Sequence, residues 1–271
     1  MPIQDFDYRS ARNRAFEKTG LVLRWLYKWE ISSRYVIQDL LGVGRSATYQ
    51  TLAKLEKDGL ISWFSMPNCC AKIYHLTQHG VTTAQELFVG HKDEHLNTRF
   101  YPSRINTNHC QHDFLVQHEV LRIKDGHKNA RFLSDRQLRL REKFYLRNKH
   151  KIPDAVVHLG SHKNPCQILI EVQESPMSSF KLELMLSLYA EAIRKDEIQG
   201  LIFASTKRHI LDHARRMIDR DIRHFNFVEG RWHPISTTAR PSPLSVDMVG
   251  NSINLQDLRH YSNFYYRHLY R

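Results

Sequence analysis

Apolar residues recur along this chain in two rhythms, and the switches between them mark its elements. Leu21, Leu23, Trp25, Leu26 and Trp29, then Val36, Ile37, Leu40 and Leu41, repeat at three- and four-residue spacing and predict two short helices. Gly42-Val43-Gly44 interrupts the pattern. A third helix opens at Arg45, turns Ala47, Leu52, Leu55 and the following Leu60 inward, and stops at Asp58-Gly59. Ile61 to Met66 and Lys72 to Leu76 then read as strands of a hairpin around Pro67-Asn68-Cys69-Cys70. Beyond a polar stretch from Gly90 to Asn108, Val116, Val120 and Ile123 predict a helix beginning near His112, and Arg131 to Leu140 alternates like a strand. Ile152 to Val157 and Ile168 to Gln173 are β-branched apolar runs flanking the turn-rich Gly160-Ser161-His162-Lys163-Asn164-Pro165, which predicts an antiparallel pair. Next come an amphipathic helix over Ser178 to Arg194 through Phe180, Leu182, Met185, Leu186 and Tyr189, and a buried strand at Gly200 to Ala204. A helix from Arg208 to Arg223 and a strand at Phe225 to Val228 complete the series.

Length and composition narrow the partners. The 271 residues, 41% of them hydrophobic, suffice for two modest domains with a core in each. Forty Lys and Arg against 28 Asp and Glu give a formal net charge of +12, and 17 histidines can add to it, so the expected partner is a polyanion. No apolar run approaches the ~18 residues of a spanning helix and no charged-then-apolar leader opens the chain, which favours nucleic acid in the cytoplasm over a membrane surface. The four cysteines include adjacent Cys69 and Cys70, which do not readily form a relaxed disulfide together; reduced thiols are the simple expectation.

The hairpin of 152 to 173 carries the candidate chemistry. With the turn centred between His162 and Lys163, Asp154 lies opposite Glu171, and two acids share one end of a sheet. That geometry suits a hard divalent cation, Mg²⁺ or Mn²⁺, between carboxylate oxygens, and metal-assisted cleavage of a phosphodiester. The alternative is that Asp154 only starts a strand and Glu171 pairs with a surface lysine, but the apolar flanks of Glu171 make an ionised carboxylate there costly without a metal or a partner.

The order helix, helix, turn, helix, hairpin over residues 1–90 is that of a winged helix-turn-helix. Leu41 to Gly44, Leu52-Ala53-Lys54-Leu55-Glu56-Lys57-Asp58-Gly59-Leu60-Ile61 and Tyr74-His75-Leu76-Thr77-Gln78-His79-Gly80 resemble the winged-helix DNA-binding domains of bacterial regulators. The resemblance implies that Arg45, Ser46, Thr48, Tyr49 and Gln50, at the exposed start of a recognition helix, reach base edges or phosphates, with Lys54 and Lys57 on the backbone. Residues 91–108 read as a linker.

Residues 109–233 follow the order of the restriction-endonuclease-like PD-(D/E)xK fold, a mixed-sheet α/β (α+β) domain, and Pro153-Asp154 with Glu171-Val172-Gln173 looks like its active-site motif. Together with the helix at His112-Asp113-Phe114-Leu115-Val116 and with Lys181-Leu182-Glu183-Leu184 and Tyr189, these strings resemble the plasmid replication-relaxation family, which includes the MobC-type conjugative relaxases. The resemblance implies Asp154, Glu171 and the Val172 carbonyl as metal ligands, Glu119 as a third acid and Glu174 as a weaker one. Gln173 stands where the fold commonly has lysine, and Lys181 is the candidate replacement; His112, His118 and Tyr189 are further site candidates. The expected activity is strand-specific nicking at a plasmid transfer or replication origin, on a duplex site and its nicked single strand, with mobilisation or replication accessory proteins and a homodimer as further partners. The rival is a non-catalytic replication initiator or regulator. Residues 234–271 read as a Ser/Thr/Pro-rich connector and a basic, aromatic tail through Leu258, Tyr261, Phe264, Tyr265, Tyr266 and Leu269, suited to stacking on single-stranded bases or to docking.

Overall fold

A computed structural model describes residues 8–66, 69–88, 109–127, 129–140, 152–161, 164–220, 222–223, 225–228, 231–234 and 253–261. The expected linker 91–108, most of the connector and the aromatic tail beyond Tyr261 lie outside the described residues. The chain forms two compact units that divide after His118.

The first unit runs α1 (Tyr8–Trp29), β1 (Ile31–Ser33), α2 (Arg34–Leu41), α3 (Arg45–Lys57), β2 (Ile61–Met66), β3 (Cys69–Leu76) and α4 (Gln78–Phe88). Its antiparallel sheet has the order β1-β3-β2. Val22, Leu23, Leu26 and Tyr27 of α1 meet Ile37 of α2, Leu52 and Leu55 of α3, and Tyr74 and Leu76 of β3 in one core. The winged helix-turn-helix order is therefore present, with three differences from expectation. Helix α1 begins at Tyr8, well ahead of its apolar stripe. β1 pairs with β3, Ile31 opposite His75, and its last residue, Ser33, caps α2 by accepting from the Val36 N–H at 3.2 Å. β3 starts already at Cys69, level with Met66, which shortens the wing turn to two residues.

Two of the quoted sequence strings meet at one junction. Helix α3 ends into Gly59, whose φ of +69° few side chains tolerate. The Leu60 carbonyl that follows accepts from the Thr77 N–H at 3.1 Å, and the Thr77 hydroxyl caps α4 by accepting from the Gly80 N–H at 3.0 Å. Gly80 lies so close to Leu60 that an added Cβ would stand 1.9 Å from the carbonyl oxygen. The missing side chain lets α4 pack back against the end of α3.

Helix α5 (Cys110–Gly126) spans the division between the units. Through Gln117 it belongs to the first: the buried amide accepts from Trp25 Nε1 at 2.8 Å and from the Ser32 hydroxyl at 2.7 Å, and donates to the Ile31 carbonyl at 3.0 Å.

The second unit continues with β4 (Arg131–Ser134), α6 (Asp135–Leu140), β5 (Ala155–Ser161), β6 (Asn164–Val172), α7 (Ser179–Arg194), β7 (Gly200–Ser205), α8 (Arg208–Ile218), β8 (Phe225–Val228), β9 (Arg231–Pro234) and β10 (Ile253–Asp257). Its sheet has the order β10-β7-β6-β5-β4: β4, β5 and β6 form an antiparallel meander, and β7 and β10 join in parallel. Leu182, Leu186 and Tyr189 of α7 and Ile210 and Ala214 of α8 pack with Val156, Leu169, Leu201, Phe203 and Ile253 of the sheet.

The run expected as one strand from Arg131 to Leu140 is a short strand followed by a helix. Its cause is a reciprocal cap, in which the Ser134 N–H donates to the Gln137 side-chain oxygen at 3.2 Å and the Gln137 N–H to the Ser134 hydroxyl at 3.4 Å. Helix α8 ends at Ile218 rather than Arg223. Among the described residues β8 pairs with β9 in a sheet of two strands, whereas the fifth strand of the main sheet is β10, from the stretch read as connector and tail.

The Gly80 contact yields a direct expectation. Gly80→Ala drives a methyl group into the Leu60 carbonyl and is expected to destabilise the protein by about 1–3 kcal/mol, read as a lower urea midpoint in equilibrium unfolding.

Candidate functional site

The β5–β6 register centres the turn between residues 162 and 163, pairing Ser161 with Asn164 and Ala155 with Ile170. The pairing ends there: Asp154, just before β5, donates its N–H to the Ile170 carbonyl at 3.1 Å, which keeps it beside the end of β6 that carries Glu171. Glu171 is level with Phe203 of β7, and Phe203 with Leu255 of β10. Side chains alternate between the faces of a strand, so Glu171 shares a face with Leu169, the face that α7 covers.

Glu171 is only 2% exposed. Its Oε1 accepts a hydrogen bond from the hydroxyl of Tyr189, itself wholly buried on α7. The Asp154 Oδ2 accepts from the Val172 N–H at 2.8 Å, which fixes that carboxylate against the end of β6. In an extended residue N–H and C=O point to the same edge, so the Val172 carbonyl turns towards β5 as well. Both acids act on one hydroxyl: burial first, then the Glu171 carboxylate and the more distant Asp154 charge, hold the Tyr189 phenol well above its usual pKa of 10.0. Tyr189 is thus a neutral donor throughout the physiological range.

The other sequence candidates fall elsewhere. Gln173 donates from Nε2 to the Ser175 carbonyl at 2.6 Å, while its own carbonyl accepts from the Ser205 hydroxyl at 2.6 Å. Glu174 accepts from the Thr206 N–H at 2.8 Å and hydroxyl at 2.5 Å, and its carbonyl receives Lys207 Nζ. Lys181 is exposed in the first turn of α7, its N–H held by the Ser178 cap at 3.3 Å. Glu119 is fully buried but bound by Arg122 of its own helix, whose Nε lies 3.0 and 3.1 Å from its two oxygens. His118 belongs to the first unit, buried with Nδ1 2.8 Å from Asp39 Oδ2, and His112 Nδ1 lies 3.3 Å from Asp113 Oδ1. Among the described residues no three His, Cys, Asp or Glu side chains gather as a metal site. Asp154, Glu171 and the Val172 carbonyl offer oxygen atoms, the donor type that Mg²⁺ takes.

Arg45, Ser46, Tyr49, Gln50 and Lys54 are exposed on the outer side of α3. Thr48 is a correction: it is 3% exposed and its hydroxyl turns back to the Gly44 carbonyl at 3.2 Å, so it serves the core in the place expected for Ala47. The Tyr49 ring lies between two guanidinium groups, 5.2 Å from Arg34 and 5.6 Å from Arg45. On the wing, Lys72 Nζ sits 3.5 Å above the Trp63 ring, a pairing that sequence spacing misses because the two residues lie on different strands. Sequence reasoning also misses Ser205, Thr206 and Lys207; a Ser-Thr-Lys string that closes the buried strand β7 and continues past it, at the carboxyl ends of parallel strands, is the signal that points to them.

These features define a two-unit protein in which a winged helix-turn-helix precedes a mixed-sheet α/β unit with paired carboxylates at one sheet end. The chain belongs to the replication-relaxation family, whose model matches residues 23–202, from the middle of α1 into β7. A solved structure of Lactococcus lactis ZitR, a double mutant in its apo form, is 24% identical with a TM-score of 0.27. That match takes in 31% of this chain and 64% of that one, so this chain spans less than two thirds of it. No curated protein matches. Family membership supports a DNA-binding role connected with replication, and no helix among the described residues is long and apolar enough to cross a membrane.

Tyr189→Phe removes the donor to a buried carboxylate and is expected to cost about 1–3 kcal/mol at pH 7. The raised phenol pKa stabilises the fold fully below the unfolded value of about 10 and is lost as pH rises through the folded value. Urea unfolding from pH 8 to 11 should therefore show an alkaline loss of stability in the parent that is smaller in Tyr189→Phe.

Proposed function

We propose that the protein binds duplex DNA through the outer face of α3 and its wing and nicks one strand at a plasmid transfer or replication origin, with Asp154, Glu171 and the Val172 carbonyl holding Mg²⁺ or Mn²⁺. One observation carries this reading: Glu171, 2% exposed near the end of β6, and Asp154, whose carboxylate is held by the Val172 N–H, are both felt by a single buried tyrosine hydroxyl. Burying a carboxylate to that degree costs several kcal/mol, a cost that functional sites commonly bear. A bound divalent ion supplies an activated water and offsets charge on the phosphate. Tyr189 orients Glu171, and the Val172 N–H orients Asp154. The neutral, wholly buried phenol of Tyr189 is unsuited to attack phosphorus, and a metal-activated water is the nucleophile in this reading. Lys181, exposed one helical face away on α7, is the cation available to approach the phosphate, since Gln173 carries no charge.

The hydrogen bond from Gln173 to the Ser175 carbonyl and the tie between Glu119 and Arg122 favour a second reading, in which the second unit binds or dimerises without cutting. Supercoiled plasmid carrying the origin, incubated with protein and Mg²⁺ or Mn²⁺, separates the two. Open circles are expected from the parent, with Asp154→Ala and Glu171→Ala each losing at least about 100-fold in rate while keeping duplex affinity. Specific binding without nicking in either metal selects the second reading, and a linear product indicates a double-strand endonuclease. On the DNA side, Arg45→Ala and Gln50→Ala are each expected to cost about 1–3 kcal/mol of discrimination between origin and unrelated duplex, measured by fluorescence anisotropy.

A further inference from the structure

Helix α1 is longer than its packing requires. Among the described side chains its core residues begin at Val22, yet it extends back to Tyr8, and the stretch from Arg14 to Thr19 lies beside α3. Between them runs an open cleft of about 280 Å³. Arg14 and Lys18, one helical turn apart, edge it from α1, and Gln50 and Lys54, also one turn apart, edge it from α3. Small residues, Ala15 and Ala47 among them, line the space between, so the floor is low and the long polar arms stand at its rims. The only acids of the two helices, Glu17 and Glu56, do not line it, and Glu56 is engaged by the Trp63 indole N–H at 2.9 Å.

Three cations facing each other across a shallow trough without a carboxylate form a site for an extended polyanion rather than a compact ligand. Gln50 belongs both to this cleft and to the exposed outer side of α3, so the trough continues directly from the face assigned to base contacts. We propose that the α1–α3 cleft is a backbone clamp, in which Arg14, Lys18 and Lys54 bind consecutive phosphates of one strand of the duplex read by α3. This rests on the duplex-binding reading above and deepens it: the clamp supplies sequence-independent affinity and sets the helix orientation, while Arg45 and Gln50 discriminate. The amino-terminal extension of α1 then has a function that its absence from the core leaves unexplained.

Salt dependence tests the assignment, because each phosphate contact contributes roughly 0.9 to the slope of log affinity against log salt. The full-length Arg14→Gln/Lys18→Gln variant should lose about 1.8 of that slope, so that raising salt from 50 to 200 mM weakens it roughly 12-fold less than the parent. The loss should be equal on origin and unrelated duplexes, and Arg14→Lys/Lys18→Arg should restore the parental slope. Lys54→Gln, on the opposite wall, should lose about 0.9 by itself, which keeps the test open if the double variant unfolds. Unchanged slopes in folded variants, or a loss confined to the origin sequence, overturn the clamp while leaving duplex binding intact. Failure of the parent to bind any duplex defeats the duplex-binding reading itself, and the clamp with it.

Discussion

An ionisable carboxylate held at 2% exposure has to be hydrogen-bonded or neutralised, and in the second unit that requirement ties the sheet to the helix above it. Glu171 meets it through the Tyr189 hydroxyl, which reaches the end of β6 only because Leu182, Leu186 and Tyr189 form one stripe along α7 and seat it on Leu169 and Phe203. The Ser178 cap sets where α7 begins and hence where Tyr189 arrives. Parallel β7 closes the other flank with Phe203 level with Glu171. The position of Asp154 follows from the same sheet end, because the last N–H of β6, at Val172, has the aspartate carboxylate as its acceptor. Moving α7 by a turn would separate Glu171 from the Tyr189 hydroxyl, and moving the hairpin by one residue would separate Asp154 from the Val172 N–H.

A comparable constraint organises the first unit. The left-handed Gly59, the shared Leu60 carbonyl, the Thr77 cap and the side-chain-free approach of Gly80 hold the end of α3 against the start of α4. With Thr48, Leu52 and Leu55 committed to the core side, Ser46 and Gln50 face outwards, while Arg45 at the helix start and Tyr49 at the edge of the stripe stay exposed. Membership in the replication-relaxation family, whose model reaches into both units, supports a DNA-binding role connected with replication.

Much of this is legible in the order of residues alone. Turn formers on both sides of residues 162 and 163 specify the β5–β6 register, which brings Asp154, just before β5, to the end of β6 near Glu171. Helices α3 and α7 are legible from their apolar stripes and stops. The strand β10 is not: five residues, Ile-Asn-Leu-Gln-Asp, in a polar stretch become a strand because β7 offers an open edge to pair with. The break between β4 and α6 does carry a local sign, Ser134-Asp135-Arg136-Gln137, a capping box hidden beneath the alternation of the flanking residues. Thr48 departs from expectation because a β-branched hydroxyl that returns its hydrogen bond to the preceding turn is as acceptable in a core as an alanine.

By itself, the sequence determined what short-range physics controls: where helices start and stop, the turn that sets the hairpin register, the basic charge, and two acids near one end of the hairpin. Only the tertiary structure decided which of the remaining polar groups join them. Tyr189 is brought to Glu171 by the packing of a helix on a sheet, Glu174 is drawn to Thr206 by parallel pairing with β7, and His118 is placed beside Asp39 of α2. Those partners come from elements separated along the chain, and their distances are set by how whole faces pack, to which local spacing is blind.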